Sequence, residues 1–246
     1  MSPITLITGA AGGLGQAVVA RFADIGHTIV AVDLNSDALA ACADRHRAGP
    51  GGIHVMPADL TDPGAIVDLG DRVHREVGAV DNLLNIAGYL HRGAMADTDV
   101  DTWGRTLDVN VTAPFLLTKA FRDDLRTTPR GRIVNCSSIS ATVGYPLPAY
   151  AASKAALSSL TRSLLFDFWG TNTTVNAVAP GAMRTPMVDI ANEDKMVAKT
   201  PAGRIVTPED VAATIAFLAS DDARGINGTT VTIDGGATAI FSYAQP

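Results

Sequence analysis

Tyr150 and Lys154 stand four positions apart in YAASK, and the stretch that follows, AALSSLTRSLL, has a helical pattern. On a helix that spacing stacks the two side chains on one face. One reading is a surface pair, with the lysine stem lying along an aromatic ring on its way to water. The other is an acid/base device. A phenol titrates near 10 in its ordinary state, and a positive charge beside it favours phenolate and draws that value toward neutrality. Such a group suits a reaction in which an oxygen must gain or lose a proton.

A second constellation lies at the other end of the chain. In TGAAGGLG (8–15), Gly9, Gly13 and Gly15 are spaced G-x-x-x-G-x-G between a strand-like run and a helical one. Glycines there let the backbone turn sharply and approach a pyrophosphate, whose charge meets the N-terminus of the following helix. The next strand-like run ends in Asp33, 18 residues after Gly15. A carboxylate so placed can accept hydrogen bonds from the hydroxyls of an adenosine ribose, and it repels a 2′-phosphate. Leu34 follows it and the glycine turn holds no Arg or Lys, so the expected cofactor is NAD rather than NADP. The alternative for Asp33 is a plain strand-end or capping carboxylate. In ADLTD (58–62), Asp59 could contact the adenine amine or serve turn chemistry before a helix.

These groups need a scaffold. Apolar, β-branched runs at 4–8, 28–33, 53–58, 80–87, 131–138, 173–180 and 229–236 alternate with helical stretches such as 14–26 and 153–170. That alternation is the signature of repeated βαβ units: an α/β fold with a doubly wound, about seven-stranded parallel sheet and helices on both faces. No linker or charge block divides the chain, so 1–246 is expected to form a single domain. Residues 184–205 form the least regular long stretch and are the expected substrate loop.

Composition excludes other classes. Nineteen Lys and Arg against 25 Asp and Glu give a net charge of −6 with no basic run, which argues against nucleic acid or an anionic membrane as partner. Cys42 and Cys136 form no ligand cluster with histidine, so no metal is expected, and they read as buried thiols of a reducing compartment. The start of the chain has no room for a targeting segment and no apolar run reaches spanning length, so a cytoplasmic location is the expectation.

With TGAAGGLG, NIAG, LDVNVTAPF, IVNCSS, YAASK and NAVAPGAMRT in this order, the chain resembles the short-chain dehydrogenase/reductase family from about residue 4 to 236. The resemblance implies a Rossmann-like domain that binds a nicotinamide cofactor. It also implies a catalytic tetrad of Asn110, Ser138, Tyr150 and Lys154. Ser137 and Ser140 flank Ser138 and compete with it for that role. In the family's reaction a hydride passes between an alcohol carbon and nicotinamide while a general acid/base serves the oxygen. Tyr150 would be that group, Ser138 would hold the substrate oxygen, and Lys154 would lower the tyrosine pKa and bind the nicotinamide ribose. Asn110 would anchor a water that passes the proton outward.

The implied cofactor residues are Gly9, Gly13, Leu14, Gly15, Asp33, Leu34, Asp59, Leu60, Asn85, Ala87, Gly88, Tyr150, Lys154, Pro180, Gly181, Met183 and Thr185. Ile86 stands where the family's N-N-A-G run has its second Asn, which removes one polar contact near the central strand. The expected activity is NAD-dependent interconversion of a secondary alcohol and a ketone on a small or medium, largely apolar substrate. Its pocket would be built from 89–95, 139–147 and 183–200, and the resemblance implies a homotetramer. The alternatives are an NADPH-dependent biosynthetic ketoreductase and a non-catalytic nucleotide-sensing module. His91 could meet substrate or be a solvated loop histidine. Trp103 and Trp169 are expected to be packing residues, with Trp169 also placed for a subunit contact. Met183, Met187 and Met196 could line an apolar pocket with Tyr145 and Ile190 or belong to the core.

Overall fold

The computed structural model describes residues 2–46, 51–184 and 193–240. Along the chain run β1 (Ile4–Thr8), α1 (Gly13–Asp24), β2 (Thr28–Val32), α2 (Ser36–His46), β3 (Ile53–Val55), α3 (Pro63–Glu76) and β4 (Asn82–Asn85). Then come α4 (Val100–Leu107), α5 (Ala113–Ala120), α6 (Arg122–Thr127), β5 (Arg132–Cys136) and α7 (Pro148–Ser163). The last elements are β6 (Thr174–Pro180), α8 (Glu193–Val197), α9 (Pro208–Leu218) and β7 (Thr230–Ile233). Among the described residues these strands form one 7-stranded sheet in the order β3-β2-β1-β4-β5-β6-β7, and every pairing is parallel. The strand order reverses between β1 and β4, and a sheet of this type offers its ligand crevice outside the carboxyl ends at that reversal.

The inner strands bury both faces because their side chains alternate and both faces are covered, while the edge strands β3 and β7 are only partly buried. Ile7, Ile29, Leu84, Val134 and Val178 face one apolar cluster, closed by Val18 and Phe22 of α1, Leu39 of α2 and Val211 and Ile215 of α9. Leu6, Val30, Leu83, Ile133 and Val175 face the other, closed by Ile66 and Leu69 of α3, Leu117 of α5 and Leu125 of α6. Full burial of one such side chain contributes about 1.5–3 kcal/mol. α3, α4 and α9 start where short polar side chains take up free N–H groups. Asp62 accepts from Gly64 N at 2.8 Å, Asp99 accepts from Thr102 N at 2.8 Å, and Thr207 and Asp210 form a reciprocal capping box on α9.

Both cysteines are free and buried. No helix among the described residues is long and apolar enough to cross a membrane. The tryptophans depart from the packing expectation. Trp169 is 78% exposed and stacks on Phe166, itself 79% exposed, while Trp103 on α4 is 40% exposed. Phe166 and Trp169 lie in and just after the short turn Leu164–Phe166 that follows α7.

Candidate active site

Three stretches of chain converge at the carboxyl end of β5, next to the strand reversal. β5 ends in Cys136 and delivers Ser137 and Ser138; α7 carries Tyr150 and Lys154; the chain between α4 and α5 carries Asn110. Asn110 sits in a single π-helical turn, Asp108–Thr112, inserted between α4 and α5. A π turn widens the helix by one residue and re-aims its side chains, which is why such turns gather at functional sites.

Lys154 and Asn110 both have assignable partners. Lys154 is 2% exposed, and its Nζ donates to the Cys136 carbonyl at 2.7 Å while lying 5.6 Å from the Tyr150 ring centroid. Asn110 is fully buried: its Nδ2 donates to Tyr89 O at 2.9 Å and its Oδ1 accepts from Tyr89 N at 2.8 Å. The same Nδ2 donates to Ser153 Oγ at 2.9 Å, and Ser153 Oγ in turn donates to Tyr150 O at 2.7 Å. Ser153 is thus the link between the π turn and α7, one that no motif reading singled out; its place beside Lys154 in YAASK was the available signal.

Gly88 lies over this group. A Cβ there would stand 3.3 Å from Lys154 Nζ and 3.6 Å from Asn110 Oδ1.

The three candidate serines separate by partner. Ser137 Oγ donates to Lys154 O at 2.9 Å and shares a 2.7 Å bond with Ser158, so it fastens β5 to α7. Ser138 lies beside the Tyr150 phenol and opposes the rise of its pKa, and its Oγ accepts the Ser140 N–H at 3.1 Å. The Ser140 hydroxyl is buried without a partner.

Burial controls the charges. It pushes the Tyr150 phenol well above its ordinary value; Cys136 adds to the rise and the Ser138 hydroxyl opposes it. Burial likewise lowers the Lys154 pKa, with Cys136 raising it. The direction at Tyr150 is the reverse of the expectation from the lysine alone. Loss of solvation outweighs the ammonium, whose Nζ is held by a carbonyl.

The glycine turn lies on the far side of the reversal. Gly9 has φ +65°, and a Cβ there would press to 2.8 Å against Ala87 Cα; a Cβ on Gly15 would overlap the Gly9 carbonyl oxygen and stand 2.7 Å from its carbon. The turn therefore closes on itself and on the β4 end, where Thr8 Oγ1 accepts from Ile86 N at 3.0 Å and Ala87 N at 3.1 Å. Gly13 is exposed at the first turn of α1, and Leu14 turns into the core beside it.

Asp33 follows β2 and faces the same turn. Its Oδ2 accepts Ala11 N at 3.0 Å and its Oδ1 accepts Asn35 N at 3.2 Å, and Leu34 beside it is 64% exposed. No Arg or Lys lies in the turn. A glycine turn at a helix start beside a half-buried carboxylate fits a dinucleotide.

Asp59 serves turn chemistry, accepting Thr61 N at 2.9 Å and Thr61 Oγ1 at 2.7 Å, and those bonds hold its carboxyl below the usual range. With Arg105 it lines a cleft of about 550 Å³. Leu60 is half-buried beside it. The Asn85 side chain is engaged within the sheet: its Nδ2 donates to Asn135 Oδ1 at 2.8 Å, and Asn135 donates to Thr161 at 3.0 Å. Ile86, at the position of the missing Asn, is buried in the core.

Pro180 ends β6, Gly181 N donates to Ile233 O at 2.9 Å, and Met183 pairs with Val206. Thr185, Met187 and Ile190 lie outside the described residues. Met196 is half-buried on α8 and Tyr145 is 46% exposed. His91 Nε2 lies 3.1 Å from Asp97 O, a contact within its own loop.

The geometry has counterparts among known proteins. The family described as enoyl-(acyl carrier protein) reductase matches residues 9–238. A 3-oxoacyl-(acyl-carrier-protein) reductase of Thermotoga maritima is 33% identical over 95% of this chain and 96% of its own. A meso-2,3-butanediol dehydrogenase of Serratia marcescens is 35% identical over 99% and 96%. A solved Beutenbergia cavernae chain with NADP bound at low occupancy superposes with a TM-score of 0.90 at 32% identity, covering 97% of each chain. The chain belongs to the short-chain dehydrogenase/reductase family of oxidoreductases.

Proposed function

We propose that this chain is an NAD-dependent dehydrogenase that interconverts a secondary alcohol and a ketone, with Tyr150 as general acid and base. The observation that carries the reading is the buried Lys154 ammonium, its Nζ 5.6 Å from the centroid of the Tyr150 ring, with Ser138 beside the phenol. A purely structural pair would leave no reason to bury an ammonium at 2% exposure beside a phenol. Ser138 holds the substrate oxygen, and Tyr150 takes or returns its proton. Lys154 holds the nicotinamide ribose, and the proton leaves past Asn110.

The turn at Gly9, Gly13 and Gly15 cradles the pyrophosphate, and Asp33 receives the adenosine ribose hydroxyls. When bound, the nicotinamide supplies the hydride acceptor or donor and, in its oxidised form, a positive charge. That charge favours phenolate at a tyrosine that burial otherwise keeps protonated. The domain spans 1–246 and assembles as a homotetramer through the face that bears Phe166 and Trp169.

The second reading is an NADPH-dependent ketoreductase, favoured by the acyl-carrier reductase among the relatives and the NADP on a structural neighbour. Asp33 stands against it, since its carboxylate would face a 2′-phosphate. The test mixes protein with NAD⁺ or NADP⁺ and a panel of secondary alcohols and follows the absorbance of reduced nicotinamide. Turnover favouring NAD⁺, lost on the order of 10²-fold or more in Tyr150→Phe while cofactor affinity is largely kept, is the expected result. Near-normal turnover in that variant sinks the mechanism, and a preference for NADP⁺ selects the second reading. Cofactor binding with silence on every alcohol revives the nucleotide sensor.

A further inference from the structure

Ser140 is 3% exposed and its hydroxyl has no hydrogen-bond partner. A buried hydroxyl without a partner costs free energy, and one that survives in a folded chain calls for a reason. A serine within a helical turn ordinarily bonds back to a carbonyl one turn earlier or points to water. Ser140 does neither, although it sits in the short 3₁₀ turn Ile139–Ala141 where Thr142 Oγ1 bonds back to Ile139 O at 3.0 Å. Its place in the site is set by its own backbone, whose N–H donates to Ser138 Oγ at 3.1 Å. The free hydroxyl therefore belongs to the residue that touches the group assigned to the substrate oxygen. Ser138 is itself only 9% exposed, so a substrate oxygen that reaches its Oγ lies against the same short turn that holds Ser140.

We propose that Ser140 is a specificity-determining residue whose hydroxyl bonds a second oxygen on the carbon next to the reacting one. The substrate class is then a vicinal diol, or the corresponding α-hydroxy or α-diketone, on a small skeleton. This inference rests on the dehydrogenase reading and deepens it. A hydroxyl that gains a partner only when such a substrate is bound disfavours the analogue lacking the second oxygen, because the serine then remains buried and unpaired. The contact adds no chemistry to the reaction: Ser140 gives or takes one hydrogen bond while Tyr150 moves the proton.

The test compares butane-2,3-diol with butan-2-ol, which share a carbon skeleton, in the unsubstituted enzyme and in Ser140→Ala. The unsubstituted enzyme is expected to prefer the diol by at least about tenfold in kcat/KM, and Ser140→Ala to collapse that ratio toward one, mainly through KM for the diol. Measuring both alcohols on one preparation makes the ratio independent of how much of the variant folds. Ser140→Thr, which keeps the hydroxyl, is expected to retain a preference for the diol. Equal losses on both alcohols in Ser140→Ala, or no preference in the unsubstituted enzyme, overturn the inference while leaving the dehydrogenase reading in place. No turnover of either alcohol or of any other in the panel removes that reading, and this inference with it.

Discussion

Tyr150 and Lys154 are adjacent because of helix geometry, yet their protonation is governed by what surrounds them. Burial disfavours charge on both, raising the phenol and lowering the ammonium. The sign for catalysis follows. A phenol held above its ordinary value remains an acid through neutral pH, so ketone reduction is expected to be flat from about pH 6 to 8 and to fall only on the alkaline side. Alcohol oxidation needs the deprotonated phenol and is expected to rise with pH across the same range. Initial rates in both directions from pH 6 to 10 check this. An oxidation rate that falls as pH rises toward 9, with the enzyme still folded, would count against Tyr150 as the base.

The elements that carry the site are tied to one another by a few short contacts. Asn110 and Ser153 join the π turn to α7, Ser137 joins β5 to α7, and Thr8 joins β1 to the chain beyond β4. The glycine turn is the tightest of these junctions. In Gly15→Ala the new methyl group would overlap the Gly9 carbonyl, which is backbone and has no rotamer to yield. Overpacking of that kind costs about 1–3 kcal/mol. The expected outcome is a Tm lowered by several degrees and a weakened affinity for NADH, measured by thermal unfolding and fluorescence titration. An unchanged Tm together with unchanged affinity would show that the turn opens without cost and has no part in holding the dinucleotide.

For the molecule as a whole, the sheet and its two apolar clusters account for most large hydrophobic side chains, but Phe166 and Trp169 remain outside them. Two stacked rings, each nearly four-fifths exposed, form a surface that association would bury. If the homotetramer uses that face, Trp169→Ala is expected to shift the protein toward smaller species in gel filtration at micromolar concentration, with the fold retained by circular dichroism. A variant that elutes with the unsubstituted protein places the subunit contact elsewhere.

Strand positions, the glycine turn and the Tyr150–Lys154 pairing were legible before any coordinates, because each depends on neighbours along the chain. Alternating apolar residues declare a strand, and a spacing of four puts two side chains on one helical face. The first strand at 4–8 was read to the residue, whereas the run at 53–58 yields a strand only over Ile53–Val55. Beyond Val55 the chain keeps single backbone bonds, Met56 N to Ala31 O and Ala58 N to Asp33 O, without continuing the strand. Folding selected Ser138 from three nearby serines, engaged Asn85 with Asn135, joined Asn110 to Ser153 and left Ser140 unpaired. Those outcomes depend on which strand lies beside which helix and in what register. The raised phenol is the same kind of result, since desolvation sums over every atom packed around it. Short-range geometry is written into consecutive residues; partners far apart in the chain, and the water they exclude, are set only when the sheet closes.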